Sequence, residues 1–560
     1  MKYYILFLST ILLAVSMAGC NVERPHTIAD NPKDIPHTWD GANLYFLLTD
    51  RFYNADPGND INFGRTGESA VNRGFMGGDL AGVTQKIQEG YFDELGITAI
   101  WMTPFHEQIH GMVDEGTGNT YGYHGYWIKD WTSLDPNFGN LEDLDKLVKT
   151  AHSHGIRIVM DVIINHTGPV TTSDPVWGDA WVRTSPQCTY QGYESTISCT
   201  LVENLPDIRT ESEEDVALPP ALLEKWEKEG RLERELNELD AFFAETGYPR
   251  APKYYIIKWL TDYVRKFGIN GYRLDTAKHI EEEVWAILKK EADKAYAQWK
   301  SENPDILQGN DRFYMVGEVY GYGISGGRGY NFGDTVVDFY AEGLDHLINF
   351  EFKYDAQNSY EEIFSKYSGL LQNELQGIGV LNYFSSHDDG DPLDKMRENP
   401  FDAATKLLLT PGASQIYYGD ESSRVLHTDG ANGDAHLRSF MNWDDIVNNH
   451  MMHGYQTMDI LEHYRKLGQF RKNHPAVGAG AHTMIMEEPY YFKRTYETVG
   501  VSDIVVVGLG LMDGVKSVPV QGIFNNGTKL TDTYSGKTAT VKNGVAEIDS
   551  EEEIVLLGKF

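Results

Sequence analysis

Eight short segments of this chain begin with hydrophobic residues, many of them β-branched or aromatic, and end with polar ones. They lie at residues 43–52, 97–104, 156–166, 269–277, 313–320, 344–352, 379–388 and 414–421. Near-continuous hydrophobicity is typical of strands that are buried on both faces, as in a parallel sheet. The segments therefore predict parallel strands whose polar residues gather at their carboxyl ends.

Helical patterns lie between several of these strands, at 141–154, 256–267 and 281–300. Gly96, Gly155 and Gly268 each stand directly before a predicted strand. Glycine can adopt the left-handed turn that ends a helix at such a position. Repeated helix–glycine–strand units predict an α/β fold, and eight strands predict a (β/α)8 TIM barrel. The active site of such a barrel lies at the carboxyl ends of its strands.

The spacing of these units predicts further domains. The interval from Gly155 to Gly268 is far longer than that from Gly96 to Gly155, so we predict a subdomain inserted after the third strand. The barrel is placed at residues 36–166 and 251–477, and the insertion, with one acidic helix at 219–245, at 167–250. Residues 478–560 are predicted to form a C-terminal antiparallel β domain, with strands at 504–511, 517–524, 538–548 and 554–560.

The first twenty residues have the composition of an export signal, with a basic start, an apolar stretch and small residues before Cys20. The apolar run is too short for a membrane span. Ala18-Gly19-Cys20 is similar to the lipobox of bacterial lipoproteins, although Met17 stands where leucine is usual. The sequence predicts a signal peptide at 1–20 and a lipidated Cys20, with simple cleavage as the alternative. Asn21 favours sorting to the outer membrane.

The formal net charge of −35 limits the partners of this protein. Nucleic acids and anionic membrane surfaces would be repelled at long range. We therefore expect no nucleic-acid partner, and a membrane only through a lipid anchor at Cys20. A neutral or cationic ligand fits this charge better.

If Cys20 carries lipid, Cys188 and Cys199 are the remaining cysteines. They lie in a polar segment rich in glycine, serine and threonine. Export would place them where disulfides form. We predict a Cys188–Cys199 disulfide, and two free thiols are the alternative.

Three carboxylates stand at equivalent strand ends. Asp275 follows Arg273 by two residues, so both side chains lie on one side of the strand and the cation would keep the carboxylate ionised. Glu318 ends the next strand between apolar residues, where burial should raise its pKa. Asp388 follows His387 at the end of the seventh strand. One ionised and one protonated carboxyl facing each other suit glycoside hydrolysis.

Each of these acids could instead cap a helix or pair with a neighbouring cation. Three acids at equivalent strand ends favour a shared site over three separate structural roles. Phosphoryl transfer would need a phosphate-binding loop, and the sequence has neither a P-loop nor a convincing GxGxxG motif. Glycoside hydrolysis is therefore the favoured interpretation.

With these motifs the chain resembles glycoside hydrolase family 13, the α-amylase family, from about residue 42 to 475. The four signature regions are DVIINH at 161–166, GYRLDTAKH at 271–279, GEV at 317–319 and HD at 387–388. Auxiliary matches are FMGGDLAGV at 75–83, YHGYW at 123–127, LPDI at 205–208 and PGASQIYYGDE at 411–421. Four motifs in the family's order, each at a predicted strand, are a specific signal.

The resemblance implies that Asp275 is the nucleophile, Glu318 the general acid/base and Asp388 a transition-state stabiliser. These roles imply a retaining mechanism with a covalent glycosyl-enzyme. The substrate-binding residues implied are Arg273, His166, His387, Tyr126, His124, Lys278 and His279. Arg273 would hold Asp275, and Tyr126 would stack against the sugar ring. For Tyr126 and Lys278, ordinary packing or solvation is the alternative.

The resemblance also implies a structural Ca²⁺ ion between the barrel and the insertion. Its ligands would be Asn165, Asp207 and the backbone oxygen of His279, an oxygen set that suits a hard cation. The alternative is that Asn165 only caps neighbouring backbone groups and that Asp207 only forms part of a turn. Ser386 stands where chloride-activated members of the family have asparagine, so chloride dependence is not expected.

Within the family, residues 44–60, 106–111 and 205–212 are most similar to periplasmic α-amylases of Gram-negative bacteria. This implies a monomeric, exported enzyme, periplasmic or anchored at the outer membrane, that cleaves α-1,4 bonds within maltodextrins. The alternatives are a cyclomaltodextrinase, maltogenic or transglycosylating enzyme, because the same carboxylates serve these activities. A surface starch-binding lipoprotein without catalysis is a more distant alternative, which the presence of all three acids disfavours.

Overall fold

The structure is a computed structural model that describes residues 37–307 and 312–559. The predicted signal peptide at 1–20 and the lipidation site Cys20 lie outside these residues. Among the described helices, none is both long enough and apolar enough to cross a membrane.

Eight parallel strands close into a barrel, which confirms the predicted fold class. They are β1 (Asn43–Leu47), β2 (Ala99–Met102), β3 (Arg157–Val162), β4 (Gly271–Leu274), β5 (Tyr314–Gly317), β6 (His346–Asn349), β7 (Gly379–Asn382) and β8 (Ala413–Tyr417). Each strand pairs with the next along the chain, and β8 pairs with β1. Every residue of these strands is buried, as expected for a sheet packed between side chains inside the barrel and helices outside it.

Helices follow the strands and cover the barrel. The α-helices are Thr49–Phe52, Leu80–Gln88, Tyr91–Glu94, Leu141–Ser153, Glu194–Ile197, Pro220–Lys228, Leu232–Thr246, Pro252–Phe267, Glu283–Glu302, Phe352–Asp355, Tyr360–Gln372, Pro400–Leu409, Trp443–Asn448, Thr457–Asn473 and Pro475–Ala479. Short 3₁₀ helices span Trp39–Gly41, Pro57–Asn59, Ala277–His279, Ile324–Gly326 and Gly433–Leu437.

Local chemistry sets the bounds of these helices. Leu141–Ser153 begins at a capping box in which the Asn140 side chain accepts the backbone N–H of Asp143 and the Asp143 side chain accepts that of Asn140. Gly96, Gly155 and Gly268 have φ values of 68°, 72° and 79°, so all three adopt the predicted left-handed conformation before a barrel strand.

The segment between β3 and β4 contains two short strands and four helices. Val182–Arg183 pairs with Asp207–Ile208, and Cys188 and Cys199 form the predicted disulfide. The prediction of one helix over 219–245 was wrong, because the chain forms two helices, Pro220–Lys228 and Leu232–Thr246. Gly230 separates them with a φ of 71°, which a continuous α-helix cannot include.

Other short antiparallel pairs lie in the loops. They join His106–Gln108 to Ile128–Leu134, Val113–Asp114 to Asn119–Thr120, Tyr330–Asn331 to Val336–Val337, and Met451–Met452 to Tyr455–Gln456.

The C-terminal part is antiparallel β structure, as predicted. It contains β9 (Ala481–Met486), β10 (Tyr490–Thr498), β11 (Val501–Leu509), β12 (Gly514–Pro519), β13 (Lys529–Asp532), β14 (Thr538–Thr540), β15 (Val545–Ser550) and β16 (Val555–Gly558). Six of these strands form one sheet, and β12 pairs with β15. The run predicted at 538–548 is two strands separated by a turn. The domain limits 36–166 with 251–477, 167–250 and 478–560 stay a prediction.

Two of the left-handed glycines give a matched test of how the barrel packs. A Cβ atom on Gly96 would collide with the backbone carbonyl of Gly468, whereas one on Gly155 would meet no atom within 4 Å. Gly155→Ala should therefore cost only the left-handed strain of about 1–2 kcal/mol. Gly96→Ala adds a backbone clash and should lower the thermal unfolding midpoint clearly further. Equal midpoints in calorimetry would contradict this packing.

Candidate active site

The three predicted acids lie at the carboxyl end of the barrel. Asp275 directly follows β4 and Glu318 directly follows β5, while Asp388 lies in the loop after β7. The sheet hydrogen bonding continues past the strands, since the Glu318 amide donates to the Leu274 carbonyl at 2.9 Å. Asp275 and Glu318 are 6 % and 7 % exposed, so their positions are fixed by the barrel itself.

A single guanidinium, that of Arg273, joins the acids at the centre of the site. Its Nη1 lies 2.7 Å from Asp275 Oδ1, and its Nη2 lies 3.1 Å from Glu318 Oε2. Arg273 is 1 % exposed, so these ion pairs are shielded from solvent. One cation thus holds the carboxylates of two neighbouring strands next to each other.

Asp161 is a third acid that pairs with Arg273, and no role was predicted for it from the sequence. Its Oδ1 lies 3.0 Å from Arg273 Nη1, and its Oδ2 accepts from Tyr126 Oη at 2.8 Å and from Trp101 Nε1 at 3.0 Å. The β3–β4 register places Asp161 directly beside Arg273. Residues paired in parallel strands point to the same side of a sheet, so this register, which the sequence does not specify, is what brings the two side chains together.

Glu318 has the electrostatic environment of a protonated acid. Burial raises its pKa to about 8, and nearby Asp275 and Asp388 act in the same direction, while Arg273 opposes them. Its Oε2 also accepts the backbone N–H of Thr276 at 2.9 Å. The raised pKa agrees with the direction predicted from the sequence, and it favours the protonated carboxyl at neutral pH.

Burial also raises the pKa of Asp161, to about 7, against the effect of Arg273. Arg273 carries one positive charge, and Asp161, Asp275 and Glu318 all lie in contact with it. Three buried carboxylates cannot all ionise beside one cation without a large cost. At least one of these three carboxyl groups is therefore expected to stay protonated near neutral pH.

Asp388 is held less firmly than the other two acids. Its side chain is 38 % exposed, and its Oδ1 lies 3.3 Å from Ser386 Oγ and 3.6 Å from His387 Nδ1. A carboxylate with this exposure retains lone pairs for hydroxyl groups of a ligand.

Four of the predicted substrate-binding residues are histidines, and burial lowers the pKa of each of them, His124, His166, His279 and His387. They are therefore neutral at neutral pH and can both donate and accept hydrogen bonds. The Tyr126 ring stacks on His387 with centroids 5.1 Å apart, and on its other neighbour His124 at 5.8 Å. His166 Nε2 lies 3.2 Å from the Tyr126 carbonyl oxygen, so the structure groups His124, His166 and His387 around Tyr126. The Tyr126 ring itself lies 5.8 Å from the Arg273 guanidinium.

Lys278 and His279 lie on the 3₁₀ helix that follows Asp275. Lys278 Nζ donates to the Tyr320 carbonyl and to Tyr330 Oη, both at 3.0 Å. The His279 ring is turned toward the insertion, with Nδ1 3.2 Å from the Thr196 carbonyl oxygen. These contacts link the loop after β4 to the loop after β5 and to the disulfide segment.

The predicted calcium ligands lie together at the junction of barrel and insertion. Asn165 Nδ2 is 2.7 Å from Asp207 Oδ1 and 3.2 Å from the His279 carbonyl oxygen. Asp207 Oδ2 is buried and paired with Arg183 Nε at 2.9 Å. A side-chain amide, a carboxylate and a carbonyl oxygen are the kinds of group that bind a hard cation. The described residues contain no group of three or more His, Cys, Asp and Glu side chains arranged to hold a metal.

Residues 46–480 match the family model for the alpha-amylase catalytic domain. The periplasmic alpha-amylase of Escherichia coli K12 is 35 % identical over 542 residues, which cover 86 % of this chain and 74 % of that protein. An alpha-amylase of Streptomyces lividans is 27 % identical over 542 residues, covering 86 % of this chain and 55 % of that protein.

Solved structures share the fold. The alpha-amylase of Anoxybacillus superposes with a TM-score of 0.62 at 23 % identity, covering 94 % of this chain and 99 % of that one. The alpha-amylase of Geobacillus thermoleovorans in complex with acarbose gives 0.62 at 20 % identity, with 93 % and 99 % covered. On the family model and the Escherichia coli relative, this chain belongs to the α-amylase family of glycoside hydrolases.

Proposed function

We propose that this α-glucan-acting glycoside hydrolase is an α-amylase, which cleaves α-1,4-glucosidic bonds within maltodextrins with retention of configuration. The observation that carries the proposal is the Arg273 guanidinium shared between Asp275 and Glu318, with burial raising the pKa of Glu318 to about 8. A retaining glycosidase needs an ionised carboxylate and a protonated carboxyl a short distance apart. The arrangement around Arg273 supplies two carboxyl groups in different environments.

In the first step Glu318 donates its proton to the glycosidic oxygen while Asp275 attacks the anomeric carbon. The bond to the leaving sugar breaks as the Asp275–sugar bond forms. Arg273 fixes the direction of Asp275 through the 2.7 Å ion pair. Glu318 lies beside it through the same guanidinium, so the attack and the protonation are directed at one glycosidic bond.

In the second step Glu318, now ionised, removes a proton from water, which attacks the anomeric carbon and releases Asp275. Asp388 binds hydroxyl groups of the same sugar as positive charge develops on its ring. Tyr126 supplies a ring face, and the neutral imidazoles of His166 and His387 supply hydrogen bonds. The family resemblance assigns Lys278 and His279 to the leaving-group side, and Lys278 contacts Tyr320, two residues beyond Glu318.

We further propose that Asn165, Asp207 and the His279 carbonyl hold Ca²⁺. The grouping of the three residues supports this site, since Asn165 lies 2.7 Å from Asp207 and 3.2 Å from the His279 carbonyl oxygen. The ion would stabilise the junction between the barrel and the insertion. The insertion contacts His279 at the edge of the site. The ion has no part in the proton transfers.

Export to the periplasm, with Cys20 as a lipid anchor, is proposed as the location. The Cys188–Cys199 disulfide and the periplasmic location of the Escherichia coli relative support export. Monomeric behaviour and the domain limits given above are proposed with it.

The raised pKa of Glu318 predicts where activity falls at high pH. Glu318 acts when protonated, so kcat/KM should hold through neutral pH and decline as pH rises through about 8. Glu318→Gln carries no ionisable proton, so it should lose about 10²–10⁴-fold of kcat and lack this alkaline decline. Initial rates on maltoheptaose between pH 5 and 10 test both points. An alkaline decline that persists in the residual activity of the variant would assign the titration to another group.

Product sizes separate an α-amylase from other members of its family. Internal cleavage of end-labelled maltoheptaose should give linear products of several lengths from the first turnovers. The anomeric proton signals of early products should show retention. Cyclic products would favour a glucanotransferase, an activity found among relatives such as the cyclomaltodextrin glucanotransferase of Paenibacillus macerans. Faster hydrolysis of cyclodextrins than of linear chains would favour a cyclomaltodextrinase.

Removal of calcium should destabilise the protein. Treatment with a chelator should lower the thermal unfolding midpoint, and Ca²⁺ but not Mg²⁺ should restore it, because the ligands are oxygen atoms in a flexible set. At free Ca²⁺ one hundred times the dissociation constant, the stabilisation is about 2.7 kcal/mol. Asp207→Asn should make the midpoint insensitive to the chelator. An unchanged midpoint in the chelated native protein would exclude the site.

A further inference from the structure

Asp388 makes weaker contacts than the other two acids. Its side chain is 38 % exposed, whereas those of Asp275 and Glu318 are each 9 % exposed and paired with Arg273. Its shortest hydrogen bond, from Ser386, measures 3.3 Å and comes from two residues away. Its direction must therefore be set largely by the backbone of its loop.

The neighbouring residue Asp389 has two short side-chain contacts, one to a lysine and one to a tyrosine. Lys353 Nζ lies 2.6 Å from Asp389 Oδ1, and Tyr383 Oη donates to Asp389 Oδ2 at 2.8 Å. Lys353 also donates to the Asp391 carbonyl at 2.9 Å. The Lys353 and Asp389 side chains are 7 % and 11 % exposed. We call Lys353, Tyr383 and Asp389 the rim clamp.

The rim clamp joins two neighbouring units of the barrel. Lys353 lies on the helix Phe352–Asp355 after β6, and Tyr383 directly follows β7. The ring of Phe350 packs against Tyr383 at 5.6 Å and against Tyr320, two residues beyond Glu318, at 5.0 Å. The clamp therefore lies along the same rim as the acid that donates the proton.

A second cation holds the loop on the other side of Asp388. Arg438 Nε donates to the His387 carbonyl at 2.8 Å, and Arg438 is paired with Asp434 at 2.7 Å. Asp388 thus stands between two fixed neighbours, His387 and Asp389. Its carboxylate is left partly exposed to solvent, while the residues on both sides of it are fixed.

We propose that Lys353 is a positioning residue for glycoside hydrolysis, which acts through Asp389 to fix the direction of Asp388. The inference rests on the proposed function of Asp388. Without Lys353, the Asp389 carboxylate would remain largely buried without its cation and would move toward solvent. Gly390, whose Cα has no atom crowding a Cβ position within 4 Å, would offer little resistance to that movement.

Lys353→Met should lower kcat on maltoheptaose by about tenfold to a hundredfold, the loss expected for an Å-scale displacement of a catalytic group. KM should change much less, because Asp388 is proposed to bind the sugar more tightly in the transition state than in the ground state. Lys353→Arg keeps the cation and should recover most of kcat. The double variant Lys353→Met/Asp389→Asn leaves no unpaired charge, so it can replace the single variant if Lys353→Met is unstable. Its kcat should also fall, because the ion pair is removed.

Lys366→Met is the matched control. Lys366 pairs with Glu351 and Asp355 at 2.6 and 2.8 Å in the same part of the barrel, and neither partner belongs to the rim clamp. This variant should leave kcat within about twofold of the native value and change the thermal midpoint only slightly, since partly exposed ion pairs contribute little to stability. A kcat loss equal to that of Lys353→Met would show a general structural effect and overturn the proposal.

The combination with Asp388→Asn decides whether Lys353 acts through Asp388. If it does, adding Lys353→Met to Asp388→Asn should cause little further loss of kcat, because residues that act as a unit are not additive. A full additional loss would overturn the positioning role alone. Full activity of Asp388→Asn by itself would refute the proposed role of Asp388, and the positioning role with it. Native kcat in Lys353→Met would refute the positioning role while leaving the proposed function intact.

Discussion

The ion pairs of Arg273 are the interaction on which the rest of the site depends. One buried guanidinium contacts Asp161, Asp275 and Glu318, so the positions of three acids from three strands follow from one side chain. The single positive charge of Arg273 also influences which of the surrounding carboxyl groups are protonated. Burial raises the pKa of Asp161 and of Glu318, and the single cation is too little to reverse either shift. The same interaction therefore fixes geometry and retains a proton where the proposed mechanism needs one.

The barrel makes this cluster possible through strand register. Arg273 pairs with Asp161 on β3 on one side and with Val316 on β5 on the other, which brings Glu318 within reach of the same guanidinium. A register slip of one residue would turn Arg273 or its partners to the opposite face of the sheet. The chain then leaves β4 through Thr276 with a φ of 49°, a strained conformation for a β-branched residue. That turn aims the Thr276 amide at Glu318, and such strain is typical of functional sites.

The sequence was sufficient to predict most of the fold, because a doubly buried parallel strand has its own pattern and because glycine marks the left-handed turns. It was sufficient for the Cys188–Cys199 pair as well, since few alternatives existed. It could not reveal Asp161 as a partner of Arg273, because that contact depends on register between strands far apart in the chain. Arg438 is similar: it reaches the His387 carbonyl from the loop after β8. The prediction of a single helix at 219–245 was wrong for a local reason. The helical sequence pattern continues through Gly230, but the backbone there adopts a left-handed conformation that ends the helix.

The three acids are held in three different ways, and each way suits a different proposed task. Asp275 has a direct ion pair with Arg273, which holds the proposed nucleophile in place. Glu318 combines burial with one backbone amide, which favours the protonated form until the proton is needed. Asp388 must exchange contacts with water for contacts with sugar hydroxyls, and strong partners of its own would compete with the ligand. A carboxylate in that position is best fixed through its neighbours, and the Arg438–His387 and Lys353–Asp389 contacts on either side of it have that geometry.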